Sequence, residues 1–243
     1  YTITEIATDG FKDNQLTSVG IPSTVTKIGE SAFENNQLMS VTIPNLVTRL
    51  GRRAFNTNQL TSVVFPANLT EIGDRCFENN QLANIDIPTG ITFLDFRVFH
   101  NNNFTNVTIP ANITDIGLAA FTGNSITPID VLATTPPSVT PISFDNEGSI
   151  DVTVPTGTEA AYVVAGWDIF ESINGIIQFS VGVTFTENNF DYEVTSLNPN
   201  EVQITGGTNG PNDLIIDATV SSQGSTFTVT GVGVSAFENV GLT

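Results

Sequence analysis

The stretch AFENNQLMSVTIP, from Ala32 to Pro44, recurs as CFENNQLANIDIP, from Cys76 to Pro88. Between these copies, and on either side of them, the same skeleton returns at one constant spacing. The repeating columns are Phe11, Phe33, Phe55, Phe77, Phe99 and Phe121; Asn14, Asn36, Asn58, Asn80, Asn102 and Asn124; Leu16, Leu38, Leu60, Leu82, Phe104 and Ile126; and Pro22, Pro44, Pro66, Pro88 and Pro110. A fixed 22-residue period predicts a solenoid in which each coil packs against its neighbours.

Each coil is predicted to contain a short strand and an extended return half. In LTSVGIP, from Leu16 to Pro22, apolar residues recur in a strand-like pattern, and proline ends the strand because it has no N–H for a sheet ladder. The return half from Ser23 to Gln37 has too few apolar residues for a long helix. The phenylalanine column should form the core, each ring contributing ~1.5 to 3 kcal/mol. The asparagines should form an amide ladder that closes the turn, with ligand binding as the weaker interpretation.

The segment VTKIGESAFENNQL, from Val25 to Leu38, together with strands such as LTSVGIP, resembles the BspA-like leucine-rich repeats. The resemblance covers residues 1–131 closely. It implies a strand-dominated leucine-rich-repeat solenoid, a right-handed coil of 22-residue repeats. It also implies a secreted or cell-surface bacterial protein. The sequence departs from the ordinary leucine-rich repeat in its asparagine column, which lies two residues before the first apolar position of the strand.

After Ile129 the period breaks, and residues 132–174 predict a displaced last coil followed by a C-terminal helical cap. IDVTVP, from Ile150 to Pro155, looks like a repeat strand displaced by an insert. We expect a short helix capped by Thr158 and closed by Gly166. The large side chains of Tyr162, Trp167 and Phe170 would then cover the open end of the core, as the ends of solenoids require.

Residues 175–243 predict a small β segment and the first coil of a following repeat array. Strand patterns occur in FSVGVTF, FDYEVTS, NEVQITG, LIIDATV and STFTVTGV, and a hairpin is expected at SSQGST, residues 221–226. The final stretch, residues 227–243, aligns without gaps on residues 1–17. This alignment suggests a parent chain of tandem modules, with copies of this module as neighbours.

The charge excludes several classes of partner. Seven Lys and Arg residues stand against 25 Asp and Glu, for a net charge of −18, and every basic residue lies at or before Arg97. A nucleic-acid-binding protein needs a basic surface, so this class is not expected. An anionic membrane surface is equally unsuitable. The sequence has no apolar run long enough to cross a bilayer, so membrane insertion is not expected either.

The positions of the residue types that often serve in catalysis favour a protein without catalytic activity. Cys76, the single cysteine, shares a column with Ala32 and Ala54, which indicates a buried core thiol rather than a nucleophile. His100 is the single histidine and lies in a turn column, without a second metal ligand repeated near it. No glycine-rich phosphate loop is present, since GGTNGP, residues 206–211, is predicted to be a turn. An enzyme remains the least favoured interpretation.

Two sets of residues are candidate binding surfaces. The first is the outward-pointing strand positions, which are small or polar and change from coil to coil. They are Ser18, Gly20, Ser40, Thr42, Ser62, Val64, Asn84, Asp86, Asn106 and Thr108. The second is a candidate anion patch of Arg49, Arg52, Arg53, Arg75 and Arg97. The competing interpretation of this patch is pairing with Glu30, Glu71 and Asp74 of adjacent coils, worth ~0 to 1 kcal/mol for exposed pairs.

A weaker candidate is an acidic loop. FDNEG, residues 144–148, with Asp151, Glu187, Asp191 and Glu193, offers oxygen ligands of the kind that calcium prefers, but without an EF-hand spacing. Solvated carboxylates are the favoured interpretation, so no cofactor is expected and calcium is a minor alternative.

The sequence therefore favours a noncatalytic repeat module for adhesion, or for recognition of a protein or glycan. The alternative is a purely structural spacer in a tandem array, without a ligand of its own. Secretion and adhesion follow only from the family resemblance.

Overall fold

The computed structural model describes residues 2–145, 147–174, 176–177, 184–187, 190–197, 200–207, 219–222 and 225–232. The chain divides into two compact units, Tyr1–Asn174 and Gly175–Thr243. We call them the solenoid unit and the C-terminal unit, and describe each separately.

Short strands recur along the solenoid unit on two sides of the coils. On the return half they are β1 (Glu5–Ile6), β2 (Lys27–Ile28), β4 (Arg49–Leu50), β6 (Glu71–Ile72), β7 (Phe93–Leu94) and β9 (Asp115–Ile116). On the strand half they are β3 (Ser40–Thr42), β5 (Ser62–Val64), β8 (Val107–Ile109), β10 (Pro128–Val131), β11 (Asp151–Thr153) and β12 (Ser172–Ile173). One α-helix, α1, spans Glu159–Val164, and 3₁₀ turns span Glu147–Ser149 and Trp167–Ile169.

The strands pair in parallel with the equivalent strands of neighbouring coils. On the return half, β1, β2, β4 and β6 lie side by side, and Ile6, Ile28, Leu50 and Ile72 follow one another in register. On the strand half, β3 pairs with β5, and β8, β10, β11 and β12 pair in that order. The predicted strand-dominated solenoid with 22-residue coils is thus confirmed.

The predicted phenylalanine column forms the centre of the core. Successive rings from Phe11 to Phe121 stack with centroids 5.3–6.0 Å apart. The five rings from Phe33 onward are fully buried, whereas Phe11, at the end of the stack, is 45% exposed. Each ring therefore packs between two others, except at the end.

The asparagine column forms the predicted amide ladder. The Nδ2 group of Asn58 donates to the carbonyls of Phe33 (2.9 Å) and Phe55 (3.2 Å), and its Oδ1 accepts the N–H of Leu38 (3.0 Å). Asn36, Asn80, Asn102 and Asn124 repeat this pattern. One buried side chain thus binds backbone groups of two coils, because the turn leaves these groups without ladder partners. This confirms the structural role predicted for the column.

A second column requires glycine because adjacent coils approach closely there. A Cβ atom on Gly29, Gly51, Gly73 or Gly117 would lie 2.5–2.8 Å from backbone atoms of the preceding coil. Asp95 occupies this column in the intervening coil. Each glycine donates its N–H to the preceding coil, as Gly73 does to the Leu50 carbonyl at 3.1 Å. Within residues 2–145, the Asp95 N–H makes no such bond to the Ile72 carbonyl. The return-half sheet is consequently interrupted between β6 and β7.

The strand half is interrupted in the same coil. Residues 83–87, ANIDI, form no strand and pair with neither β5 nor β8. Asn84 and Asp86 stand where β3 has Ser40 and Thr42, and asparagine and aspartate are disfavoured in strands. The turn half of this coil stays joined to both neighbours, through Phe77 N–H to Val98 C=O and Phe99 N–H to Ala120 C=O.

The segment between Val131 and Asp151 completes a coil. Phe144 stacks on Phe121 at 5.2 Å and extends the phenylalanine column, one position later than the repeat period would place it. Ile116 and Phe121 donate their N–H groups to Ser138 and Ser143 of this segment. The change of period seen after Ile129 thus reflects a coil that is one residue longer than the 22-residue period and remains part of the solenoid.

The helix α1 and the turn after it cover the end of the solenoid core. Tyr162, Trp167 and Phe170 are buried, as predicted, and Phe144 meets Phe170 edge to face at 5.8 Å. Gly166 has the left-handed backbone expected after a helix, with φ of 88°. The predicted side-chain cap by Thr158 is wrong: Thr158 occupies the N-cap position, but its hydroxyl donates to the Pro155 carbonyl at 2.6 Å.

The described strands of the C-terminal unit are β13 (Ile176–Ile177), β14 (Thr184–Glu187), β15 (Phe190–Leu197), β16 (Asn200–Gly207), β17 (Thr219–Ser222) and β18 (Ser225–Val232). β14 to β18 form one sheet in the order β14-β15-β16-β18-β17. The antiparallel pairing of β17 with β18 confirms the hairpin predicted at residues 221–226. Residues 233–243, on which most of the alignment with residues 1–17 rests, and residues 208–218 lie outside the described part of the chain.

Candidate binding face

The outward-pointing strand positions form one side of the solenoid unit. We call them, with the extension described below, the outward face. All ten predicted residues, from Ser18 to Thr108, are exposed. The pairing of β3 with β5 sets Ser40 beside Ser62 and Thr42 beside Val64. The inward residues between them, such as Val41, contribute to the core, so strand alternation separates the core from the surface.

The outward face extends further than the sequence indicated. In the register of β8, β10 and β11, Thr108 lies beside Asp130, and Asp130 lies beside Thr153. Asp130, Asp151 and Thr153 are exposed. The repeat period did not identify Thr153. A spacing of 22 residues would pair Asp130 with residue 152, whereas its partner in the sheet is Thr153, one position later. The strand-like motifs IDV, residues 129–131, and DVT, residues 151–153, are the sequence features that could have identified these positions.

A shallow cleft of about 410 Å³ opens on this face at the interrupted coil. We call it the interrupted cleft. Its lining combines the end of β5 and the following turn with the unpaired strand half of the next coil: Val63, Val64, Phe65, Pro66, Ala67, Asp86, Ile87, Pro88 and Thr89. Sequence reasoning identified Val64 and Asp86 separately but did not predict that they border one cleft.

The candidate anion patch is largely neutralised by carboxylates. Arg49 lies 2.6 Å from Glu71, and Arg52 lies 3.4 Å from Glu30, which are two of the pairings considered from the sequence. The expected pairing with Asp74 is wrong: Arg75 and Arg97 instead meet Glu78, at 3.4 and 3.6 Å. They also lie over the Phe96 ring, at 4.4 and 5.2 Å from its centroid.

Within the described residues, Arg53 is the one arginine of the patch without a carboxylate partner. Arg53, Arg75 and Arg97 share a left-handed backbone, with φ of 53–54°. Their spacing therefore follows from a repeated turn geometry. Anion binding at this patch stays a prediction.

Asp74 faces Asp95 across the interruption of the return-half sheet. Burial, followed by a hydrogen bond with Asp74, raises the pKa of Asp95 to about 6. The negative charges of Asp74 and Glu71 act in the same direction. Asp95 therefore gains a proton more readily than an exposed aspartate does.

Cys76 and His100 lie at the positions that their columns predicted. Cys76 is fully buried, and burial raises the pKa of its thiol far above the ordinary value, so the thiol stays protonated. His100 is half-buried in the turn, with Nδ1 2.6 Å from the Thr122 hydroxyl. The structure brings neither residue to the outward face.

The predicted acidic set is divided between the two units, with residues 144–148 and Asp151 in the solenoid unit and Glu187, Asp191 and Glu193 in the C-terminal unit. Within the described residues, no cluster of three or more His, Cys, Asp or Glu side chains has the geometry to hold a metal ion. Asp145 accepts the N–H of Gly123, and Asp151 accepts the Ser172 hydroxyl at 2.5 Å. Calcium binding by this set stays a prediction.

The solved structures that resemble this chain include two bacterial proteins. A leucine-rich repeat protein from Bacteroides ovatus shares 20% identity, with a TM-score of 0.46, over 70% of this chain and 54% of that one. A leucine rich cell surface protein from Faecalibacterium prausnitzii shares 18% identity, with a TM-score of 0.37, over 70% of this chain and 57% of that one. The chain thus spans little more than half the length of either protein.

No curated protein matches the chain significantly. Among the described residues, no helix has the length and apolar character needed to cross a membrane. Six copies of the BspA type leucine rich repeat match residues 4–127, which is just over half of the chain. With its 22-residue solenoid, this match shows that the chain belongs to the BspA-type leucine-rich repeat family.

Proposed function

We propose that this protein is a noncatalytic recognition module of a bacterial secreted or cell-surface protein. Its outward face would bind a macromolecular partner, either a protein or a glycan, in adhesion or recognition. The observation that carries the proposal is the contrast between the two sides of the strand half. Inward positions repeat from coil to coil and lie in the core or pack against it. One exposed column, in contrast, changes in nearly every coil, through Gly20, Thr42, Val64, Asp86 and Thr108.

The geometry of the outward face supports this proposal. Its paired strands hold side chains on a fixed backbone, which lowers the entropy lost when a partner binds. Hydroxyl, amide and carboxylate groups alternate along it, as at Ser62, Asn84 and Asp86. An extended surface of this kind suits a partner that is itself extended, such as a polypeptide segment or a glycan chain.

A structural spacer is the second candidate. The continuous phenylalanine stack from Phe11 to Phe144 favours it, because a stiff rod needs no ligand to separate its two ends. Under this alternative, tandem copies of the module would extend the rod, and the outward face would only need to remain soluble.

A glycan and matrix-protein array, probed with and without calcium, separates the two candidates. The test variant carries Ser40→Lys and Thr42→Lys on the outward face. The control carries Ser23→Lys and Thr48→Lys, at exposed positions outside this face. Loss of binding in the test variant alone supports recognition through the outward face. A wild-type protein that binds nothing on the array supports the spacer.

The calcium arm tests the acidic loop separately. If binding requires calcium and survives in the test variant, the site includes the acidic loop rather than the outward face. Binding that is lost equally in both variants contradicts a role specific to the outward face.

A further inference from the structure

We propose that the interrupted cleft binds an extended peptide segment that carries a lysine or arginine beside an apolar side chain. This inference rests on the proposed function of the outward face and names the chemistry of the partner. Three independent features coincide at the cleft: an apolar wall, backbone groups without ladder partners, and a negative charge without a nearby basic residue on the same face.

The apolar wall comes from the end of β5. Val64 is 57% exposed, although its equivalents on the outward face are Gly20, Thr42, Asp86 and Thr108. Beside it, Phe65 is half-buried, with its ring edge-to-face against Phe77 at 5.6 Å. An aliphatic side chain placed against Val64 would remove apolar surface from water, which favours binding.

The unpaired backbone groups lie where the sheet is interrupted. One coil earlier, Ile43 donates its N–H to the Val64 carbonyl at 2.9 Å. The equivalent groups at the cleft are the Phe65 N–H and the Asp86 carbonyl, and within residues 2–145 neither makes a hydrogen bond to protein. Both residues line the cleft, so it offers one donor and one acceptor to the main chain of an extended peptide.

The charge of the outward face selects a cationic partner. Its described charged residues are Asp86, Asp130 and Asp151, and all are acidic. None of the chain's seven Lys and Arg residues occupies a position on this face. A lysine or arginine would therefore meet the Asp86 carboxylate without competition from a neighbouring basic side chain, whereas an acidic peptide would be repelled.

Asp130 provides a matched control. It also borders a shallow cleft, of about 350 Å³, with Thr108, Leu132 and Thr153. There, however, β8, β10 and β11 are paired, so the ladder is complete. Asp130→Asn removes the same charge from the same face, without touching the interruption.

The experiment titrates the complete chain with two short acetylated and amidated peptides, one with a central Lys-Val pair and one with Glu-Val. Amide chemical shifts in the nuclear magnetic resonance spectrum locate the site. We expect the Lys-Val peptide to shift the amide signals of Phe65 and Asp86. Asp86→Asn should weaken its binding about fivefold, and Asp130→Asn by less than about twofold. Val64→Thr, which copies Thr42, should weaken binding without a change of charge.

Equal weakening by Asp86→Asn and Asp130→Asn would overturn the proposal, because it indicates diffuse attraction to an acidic surface. Equal binding of the Glu-Val peptide would overturn it as well. If neither peptide binds while the array variants still lose a partner, the proposed function stands and this inference fails. If only glycans bind at the cleft, the inference is likewise wrong.

Discussion

The carboxyl group of Asp95 faces that of Asp74 in the preceding coil, and hydrogen bonding between them contributes to the raised pKa of Asp95. Four other coils carry glycine at the position of Asp95. The other coils leave no room for a Cβ atom at this position, because their backbones approach to within 2.5–2.8 Å of where it would lie. The return-half ladder is broken there, and two acidic groups meet across the gap.

The first prediction concerns pH. Burial and the bond to Asp74 raise the pKa of Asp95 from 3.8 to about 6, so the folded state holds this proton more tightly than the unfolded chain. The resulting stability is fully present below about pH 4 and is lost as the pH rises through about 6. Urea denaturation across this range should show a smaller decrease in Asp95→Asn than in the wild-type protein.

Other carboxylates contribute a background slope, so Asp130→Asn is the control and should behave as the wild type does. An unchanged slope in Asp95→Asn would contradict the role of the pair.

The second prediction concerns the interruption itself. Asp95→Gly restores the residue of the column and should let the amide of residue 95 bond to the Ile72 carbonyl, as Gly73 bonds to Leu50 at 3.1 Å. Amide hydrogen exchange at residue 95 should become slower, because a bonded amide exchanges only when the structure opens.

The matched control is Gly73→Ala, whose Cβ would meet the Arg52 backbone nitrogen at 2.8 Å. Gly73→Ala should make hydrogen exchange at the amide of residue 73 faster. If residue 95 exchanges at the same rate with either side chain, the aspartate is not the cause of the break.

The third prediction concerns the amide ladder. Asn58→Ala removes a buried side chain that serves two carbonyls and one N–H. Each buried group left without a partner costs ~1 to 3 kcal/mol. We expect a loss of ~2 to 5 kcal/mol in the free energy of unfolding, measured by chemical denaturation.

Asn14→Ala is the comparison within the same column. Asn14 is exposed and binds one carbonyl, that of Lys12 at 3.0 Å, so its loss should cost under ~1 kcal/mol. Equal losses in the two variants would show that the interior amides have no special role.

The fourth prediction concerns the ring stack. Phe77→Ala leaves a cavity between Phe55 and Phe99 and should lower the free energy of unfolding by ~3 to 5 kcal/mol. Phe11→Ala should cost clearly less, because Phe11 packs against one ring and is 45% exposed. Calorimetry of both variants measures this difference, and a cost for Phe11 as large as that for Phe77 would argue against stacking as the basis of the core.

The sequence predicted the coil accurately because its information is local and repeated. Columns such as Phe33 and Asn36 return with one spacing, and each makes the same contact in every coil, so one correct coil describes the others. The end cap was equally accessible, since Tyr162 and Trp167 are large side chains placed after the last strand pattern.

The interruption could not be predicted from the same reasoning, because it depends on distances between coils. Asp95 differs from the glycine column, but the consequence requires the 2.5–2.8 Å approach of the neighbouring backbones. The partner of Arg97 was missed for a related reason. Asp74 was the carboxylate considered as a partner of the arginines, but it faces Asp95 instead. Glu78 is the carboxylate that lies near both Arg75 and Arg97.

Near-identical coils make the pairing register harder to specify. A chain that paired one whole coil out of register would still match phenylalanine with phenylalanine and asparagine with asparagine, so the repeats alone distinguish poorly between aligned and shifted pairings. The residues that differ between coils carry the remaining information. Asn84, Asp86 and Asp95 give one coil a sequence that its neighbours lack, and a coil that is distinct in this way reduces the number of equivalent pairings open to the folding chain.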